Sequence, residues 1–243
     1  MTVQIASSRL FRVFATACLL TAGVSSHSAT DWNLAGCNLG ALNASGYRTC
    51  NGVDVRATST NSGDVVAAAV ESWSGQDGGL GVQKLSGSDS HTLDNASGLD
   101  AIIFNFNQVV TLSSIKLGWN GHDNATSTFF DSDVSIYAWL GATAPGNVST
   151  IGSDWRLIGQ YDNVGNRDNE TQSFTTSTYS SYWLVSAGGA NDTLYDSFKV
   201  FALAGSPRPP GGGEVPEPGS LALLAMGAFG LMAARRRQKN QTI

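Results

Sequence analysis

Short runs of β-branched and aromatic residues alternate along this chain with residues that form turns. In one such run Ile102, Phe104 and Phe106 fall on one side of an extended chain, and Asn105 and Asn107 on the other. This period of two is typical of a β-strand with one buried face. The strands predicted by this pattern are Val53–Thr58, Val65–Trp73, Ala101–Phe106, Thr111–Trp119, Asp133–Trp139, Trp155–Tyr161, Thr171–Thr175, Tyr182–Ala187 and Ser197–Ala204.

No stretch between residues 31 and 206 keeps an amphipathic helical period over three turns. Many short strands in one domain of this size predict an all-β fold, a single jelly-roll-like β-sandwich of two antiparallel sheets. We expect this domain to span residues 30–204. Residues 205–214 are rich in proline and glycine, and we interpret them as a linker.

The N-terminus has the pattern of a secretory signal. Arg9 and Arg12 precede the apolar run Val13–Val24, and small residues follow it. This order of charge, apolar helix and small residues predicts a signal peptide over residues 1–29, and therefore export.

A second apolar run, Leu221–Ala234, lies near the C-terminus and is followed by Arg235, Arg236 and Arg237. As a helix it would be ~21 Å long, which is short for a hydrocarbon core of ~30 Å, but flanking arginines can reach outward to the interface. Arginines tend to stay on the cytoplasmic side. We therefore predict a transmembrane helix that stops at this cluster and leaves residues 239–243 in the cytoplasm.

The sequence Val215, Pro216, Glu217 and Pro218 comes directly before that helix. Motif, helix and arginines together resemble the PEP-CTERM sorting signal of Gram-negative bacteria that make exopolysaccharide, here over residues 215–238. The resemblance implies that exosortase, a membrane transpeptidase-like enzyme, recognises the tail and processes it. It also implies a transient stay in the inner membrane, followed by the cell surface or the extracellular matrix.

Blocks within the domain resemble one family of exosortase-dependent surface proteins, for which no enzymatic activity is implied. The blocks are Gly79–Val82, His91–Asn95, Leu117–Trp119, Asp131–Ser135, Ser181–Ala187 and Asp196–Val200. The chain departs from the expected pattern at Asp100–Ala101 and by an insertion, Gly121–Phe130.

The charge and the cysteines narrow the function further. The chain has 14 Lys and Arg against 19 Asp and Glu, a net charge of −5, which argues against nucleic acid as a partner. Cys37 and Cys50 are the two cysteines of the exported part. An even pair in an oxidising compartment predicts one disulfide.

The exported region offers little that is typical of an enzyme. It has two histidines, His91 and His122, and no Gly-x-Ser-x-Gly motif. Ser88, His91 and Asp94 lie close in sequence, but catalytic triads are assembled in space. We predict that the protein is not an enzyme, with a hydrolase as the remote alternative.

If the protein binds a cofactor, the sequence favours calcium. Asp94, Asn95 and Asp196 supply hard oxygen ligands, and the turn at Asp94 and the start of the last strand could meet at one end of a sandwich. The alternative is that these residues cap turns.

Aromatic residues are the candidates for binding sugars. Tyr137 and Trp139 share the face opposite Val134 and Ile136, so they are candidates for stacking on a polysaccharide. The alternative is that they pack within the domain. Trp119 and Trp183 lie in apolar alternating strands and are predicted to fill the core.

These observations predict a secreted protein of the cell surface or exopolysaccharide matrix with a structural or adhesive role. A carbohydrate-binding module with a structural calcium is the alternative.

Overall fold

The computed structural model describes residues 29–85, 91–96, 98–121, 132–148, 151–164, 170–188 and 196–209. Its regular elements are β1 (Thr30–Asn33), β2 (Arg48–Cys50), β3 (Val53–Asn61), β4 (Asp64–Val66), β5 (Ala68–Trp73), β6 (Gly79–Lys84), β7 (Leu93–Asp94), β8 (Asp100–Asn120), β9 (Val134–Trp139), β10 (Trp155–Tyr161), β11 (Thr171–Ser173), β12 (Ser180–Ala187) and β13 (Ser197–Pro207). The all-β prediction is confirmed.

The two predicted apolar helices, of the signal peptide and of the C-terminal tail, lie outside the described residues. Within the described ranges, no helix has the length and apolar content needed to cross a membrane.

Most predicted strands are present, with informative differences in their bounds. β10 has the predicted bounds, whereas the predicted strand Val65–Trp73 is interrupted at Ala67 and gives β4 and β5. The predicted strands Ala101–Phe106 and Thr111–Trp119 form one continuous strand, β8. The alternation does not predict β1, β2, β6 and β7, because these strands are very short or rich in glycine and depend on their partners in the sheet.

β8 joins the two layers of the fold. Its residues 100–105 lie between β3 and β12, whereas its residues 110–120 pair with β13. Between these parts Asn107 takes a φ of 54°, and its N–H donates to Asn105 Oδ1 at 3.0 Å. Asparagine tolerates this left-handed conformation better than most residues, so the strand can change direction here without ending.

The strands around β8 form two antiparallel layers, which confirms the predicted sandwich. One layer has the order β2-β3-β8-β12-β9-β10. The other has the order β11-β8-β13-β6-β5, and β1 and β7 also pair with β13.

The main core lies between these layers. Phe104 and Trp183 come from the first layer, Leu117, Phe198 and Val200 from the second, and all five are fully buried. Burying side chains of this size contributes roughly 1.5–3 kcal/mol each, so this shared core is a major source of the stability of the domain.

A second apolar cluster covers the outer face of the first layer. Ile103 and Leu184 are fully buried there beneath Val148 and Trp155. The strands β8 and β12 are thus buried on both faces, which explains why their sequences are apolar at neighbouring positions.

The predicted disulfide between Cys37 and Cys50 is present. Cys50 ends β2 and is fully buried, and Leu34, also fully buried, lies just before Cys37. The bond therefore fastens the long segment between β1 and β2 to the core.

We predict that replacing both Cys37 and Cys50 by serine lowers the free energy of unfolding by about 2–4 kcal/mol, because the unfolded chain regains the freedom of the closed loop. Urea denaturation of the oxidised wild type and of the double variant measures the difference. Reductant should weaken the wild type and leave the variant unchanged. Equal stability of both oxidised proteins would contradict a stabilising bond.

Candidate functional site

The predicted sorting residues, 215–218 and 235–237, lie outside the described residues, as do residues 1–28. The structure bears on the candidate sites within the domain.

The structure brings Asp94, Asn95 and Asp196 together at one end of the sandwich. Asp94 ends β7 and is paired with Ser197 of β13, and Asp196 comes directly before that residue. Asn95 Nδ2 donates to Asp196 Oδ2 at 2.9 Å, and the Asp196 N–H donates to Asn95 Oδ1 at 2.9 Å. These reciprocal bonds clamp the turn after β7 to the start of β13.

Asp133 extends this cluster to further loops. Its N–H donates to Asp196 Oδ1 at 2.7 Å, its Oδ1 accepts from the Asn163 N–H at 2.8 Å, and its carbonyl accepts from the Gly188 N–H at 3.0 Å. We call Asp94, Asn95, Asp133 and Asp196 the acidic loop cluster. Asp196 is 2% exposed, so its hydrogen bonds are shielded from water.

The carboxylate of Asp196 accepts hydrogen bonds at both oxygens, and Asp94 Oδ1 accepts from the Ala96 N–H at 3.2 Å. Within the described part of the chain, no group of three or more His, Cys, Asp or Glu side chains could hold a metal ion. The oxygens that calcium would need hold loops together in this arrangement. Calcium binding stays a prediction.

Lys84 and the buried carboxyl group of Asp100 lie next to this cluster. Lys84 Nζ is 3.3 Å from Asp100 Oδ2 and 3.8 Å from Asp94 Oδ1, and Ser59 Oγ donates to Asp100 Oδ1 at 2.6 Å. Burial raises the pKa of Asp100 to about 7, against the opposing effect of the Ser59 hydrogen bond. The negative charge of Asp94 raises it further, and Lys84 lowers it. Asp100 thus favours its protonated form in the folded protein more than an ordinary aspartate does.

Tyr137 and Trp139 lie on the outer face of the first layer, as the alternation predicts, and both pack against the second apolar cluster. Trp139 Nε1 donates to the Thr143 carbonyl at 2.6 Å, and its ring meets the ring of Trp155 edge-on at 4.9 Å. Trp139 also lines a groove of about 360 Å³ together with Tyr179. The contacts of Trp139 are those of a packing residue, and sugar stacking at this pair stays a prediction.

Another group of side chains, which the sequence analysis does not single out, lies on the outer face of the second layer. It consists of Glu71 and Trp73 of β5, Trp119 of β8 and Lys199 of β13. Lys199 Nζ lies 5.0 Å from the ring centroid of Trp73 and 5.4 Å from that of Trp119. Trp73 is still 45% exposed. We call these four residues the Trp73 platform.

His91 stands at the edge of this platform. Its Nδ1 is 2.8 Å from Glu71 Oε2, and its ring centroid is 5.9 Å from that of Trp73. Two further residues considered for a hydrolase, Ser88 and His122, lie outside the described residues. His91 therefore contacts the platform, and the prediction that the protein is not an enzyme stays a prediction.

A bulge in β8 explains why the platform is hard to see in the sequence. Leu117 is opposite Val200 and Asn120 is opposite Phe198, so that Gly118 and Trp119 both face Lys199. This extra residue turns Trp119 away from the core face that Leu117 occupies. The core prediction is confirmed for Trp183, which is fully buried, and wrong for Trp119, which is only half-buried.

One signal could have revealed Trp73. In β5, Val70 is buried in the core, and an alternating strand places Glu71 and Trp73 together on the opposite face. A large aromatic residue beside a glutamate on an outward face is the pattern of a surface site.

Comparison with known proteins identifies the tail. Residues 214–237 match the family model of the PEP-CTERM protein-sorting motif. The chain therefore carries this motif, which implies export and a transient membrane anchor before release to the surface. No curated protein matches the sequence.

Among solved structures, the chain is similar to the CBM32 of AlyQ in complex with 4,5-unsaturated mannuronic acid (16% identity, TM-score 0.32, covering 58% of this chain and 95% of that one). A truncated AlyQ with CBM32 and alginate lyase domains is also similar (15% identity, TM-score 0.35, covering 68% of this chain and 37% of that one). A Ruminococcus gnavus GH29 fucosidase in complex with fucose is similar as well (8% identity, TM-score 0.31, covering 63% of this chain and 25% of that one). At these TM-scores, the likenesses support no inference about a ligand of this chain.

We predict that Asp196→Ala lowers the free energy of unfolding by about 2–4 kcal/mol, because partners on two loops lose a buried charged acceptor. Asp162→Ala, which removes an exposed carboxylate nearby, is the matched control and should change it by less than ~0.5 kcal/mol. Equal free energies of unfolding for the two variants would contradict the role of Asp196 in holding the loops together. A rise in wild-type thermal stability with calcium, reversed by a chelator and absent in Asp196→Ala, would establish calcium at this cluster.

We also predict that Asp100→Asn gains stability relative to the wild type as the pH rises from about 4 to 7. The pKa of Asp100 is raised in the folded protein from 3.8 to about 7, so only the unfolded wild type releases this proton in that window. The wild type therefore loses up to ~1.4 kcal/mol per pH unit there. Urea denaturation of both proteins across this range measures the difference, and a constant difference would contradict the buried-acid interpretation.

Proposed function

We propose that the mature protein is a structural or adhesive component of the cell surface or exopolysaccharide matrix, and that exosortase delivers it there. The observation that carries this proposal is the match of residues 214–237 to the PEP-CTERM protein-sorting motif. A sorting signal of this kind is useful only to a protein that acts beyond the inner membrane.

The domain ahead of the signal fits an extracellular life. Its disulfide between Cys37 and Cys50 suits an oxidising compartment. The net charge of the whole chain, −5, suits a component that does not bind nucleic acid. Its two β-layers share one core, which makes the domain a compact unit suited to a matrix.

The tail supplies the delivery steps in this proposal. Its apolar segment holds the protein in the inner membrane, and Arg235, Arg236 and Arg237 stay in the cytoplasm. Exosortase then acts near Pro216, Glu217 and Pro218. The released domain joins the surface or the matrix.

Binding of polysaccharide is the second candidate, and the Trp73 platform favours it. Trp73 is an exposed indole with charged hydrogen-bonding neighbours, Glu71 and Lys199. Sites that bind small polar molecules combine aromatic surface with a few such polar groups. This activity would make the protein adhesive as well as structural.

We predict that replacing Pro216, Glu217 and Pro218 by alanine leaves the protein in the inner membrane, because exosortase no longer recognises the tail. Cell fractionation in the exosortase-bearing host, with the intact mass of each fraction, measures the outcome. The released wild type should lack both the first ~30 residues and everything after the motif.

A variant with Pro209 and Pro210 replaced by alanine is the matched control, because it loses linker prolines outside the motif, and it should be released normally. Release of the motif variant at the wild-type level would contradict the sorting proposal. An intact tail on the surface form of the wild type would contradict it as well.

A further inference from the structure

The floor of the Trp73 platform is made of backbone rather than side chains. Gly79 and Gly81 of β6 lie opposite Trp73 and Glu71 in the ladder between β5 and β6. A Cβ on Gly79 would stand 2.7 Å from the Val200 carbonyl oxygen, which is too close for any side chain. β6 therefore contributes only backbone between Trp73 and the neighbouring strand β13.

Gly79 and Gly81 are both buried, and a Cβ on Gly81 would collide with the His91 carbonyl. The outward side chains therefore stand around a covered floor, and we call this arrangement the shelf. On one side Trp73 rises from β5, and on the other Lys199 and Trp119 rise from β13 and β8. The turn before β6 fits closely over the end of β8, because a Cβ on Gly118 would collide with the Gly78 carbonyl. The shelf is thus held by packed backbone, and its side chains start from fixed positions.

The charges on the shelf favour an uncharged ligand. Lys199 is the cation of the platform, and Glu71 and Asp77 both act on it electrostatically. Burial lowers the pKa of Lys199, and the two carboxylates oppose that shift. Even when the imidazole of His91 beside Glu71 is included, the two carboxylates leave no excess positive charge to attract an acidic polymer.

We propose that the Trp73 platform binds neutral polysaccharide. The exposed indole of Trp73 receives the apolar face of a sugar ring. The carboxylates of Glu71 and Asp77 accept hydrogen bonds from sugar hydroxyl groups, and the ammonium of Lys199 donates one. Lys199 is already held between two rings, so little of its freedom is lost on binding.

This inference names the ligand class and the site for the second candidate function, and it rests on the protein reaching a polysaccharide outside the cell. The exposed indole of Trp73 offers a surface for one sugar ring within a longer chain. Binding at one such site is weak, because it uses one exposed indole and a few hydrogen bonds.

Native affinity electrophoresis tests the proposal with the full processed protein recovered from the cell surface. Galactomannan, a neutral polymer, is cast into one gel and alginate, an acidic polymer, into another. We expect galactomannan to retard the wild type and alginate to leave its migration unchanged. Trp73→Ala should bind galactomannan about tenfold more weakly.

Tyr179→Ala removes another exposed aromatic ring, on the side of the domain that carries the Trp139 groove, and should be retarded like the wild type. Thermal unfolding of each variant shows whether it is folded. Glu71→Gln provides a second test that leaves the indole in place, and it should weaken retardation while the protein stays folded.

Three results would overturn the proposal: no retardation by galactomannan, equal retardation of wild type and Trp73→Ala, or retardation by alginate alone. Each of these leaves the delivery proposal untouched, because that proposal is judged by release and mass. Failure of release would in turn leave the platform to be judged by the gels, with protein extracted from the membrane.

Discussion

The pairing of one strand with both layers is the constraint on which this fold depends. The first part of β8 lies between β3 and β12, and its second part pairs with β13. Its inward side chains, among them Phe104 and Leu117, therefore belong to both halves of a single core. Because neither layer can bury its inner face without the other, the domain should fold as one cooperative unit. A change of direction at Asn107 lets one strand serve both layers.

The same constraint decides where the chemistry of the domain lies. Pairing β8 with β13 while keeping both apolar faces inward leaves an extra residue in β8, and the bulge turns Trp119 outward over Lys199. Three residues before Lys199, at the start of β13, Asp196 meets Asn95. The Trp73 platform is exposed and the acidic loop cluster is largely buried, although β13 positions both. Accessibility therefore separates a candidate binding site from a structural one more clearly than composition does.

The sequence predicts the features that depend on neighbouring residues and fails at those that depend on partners in the sheet. Alternation predicts the all-β class and the bounds of β10, and cysteine number predicts the bond between Cys37 and Cys50. The meeting of Asp94, Asn95 and Asp196 is also predicted, because one segment ends a strand and the other begins one. The alternation ends one predicted strand at Phe106 and begins the next at Thr111, whereas β8 continues through both. Trp119 is assigned to the wrong face because a bulge is set by pairing with β13 and leaves no local pattern.

A weak binding site and a structural role are compatible in a matrix protein. One indole with a few polar neighbours gives low affinity for a single site, since association itself costs several kcal/mol. Many copies held at a surface, facing a polymer with many equivalent sugars, raise the effective concentration of each further contact, so the assembly binds far more strongly than one domain. In the proposed function, the sorting motif at residues 214–237 supplies the first condition, because it directs every copy to the same surface. The ligand that we propose, a neutral polysaccharide, supplies the second, because its repeating sugars offer many equivalent sites to the Trp73 platforms of neighbouring copies.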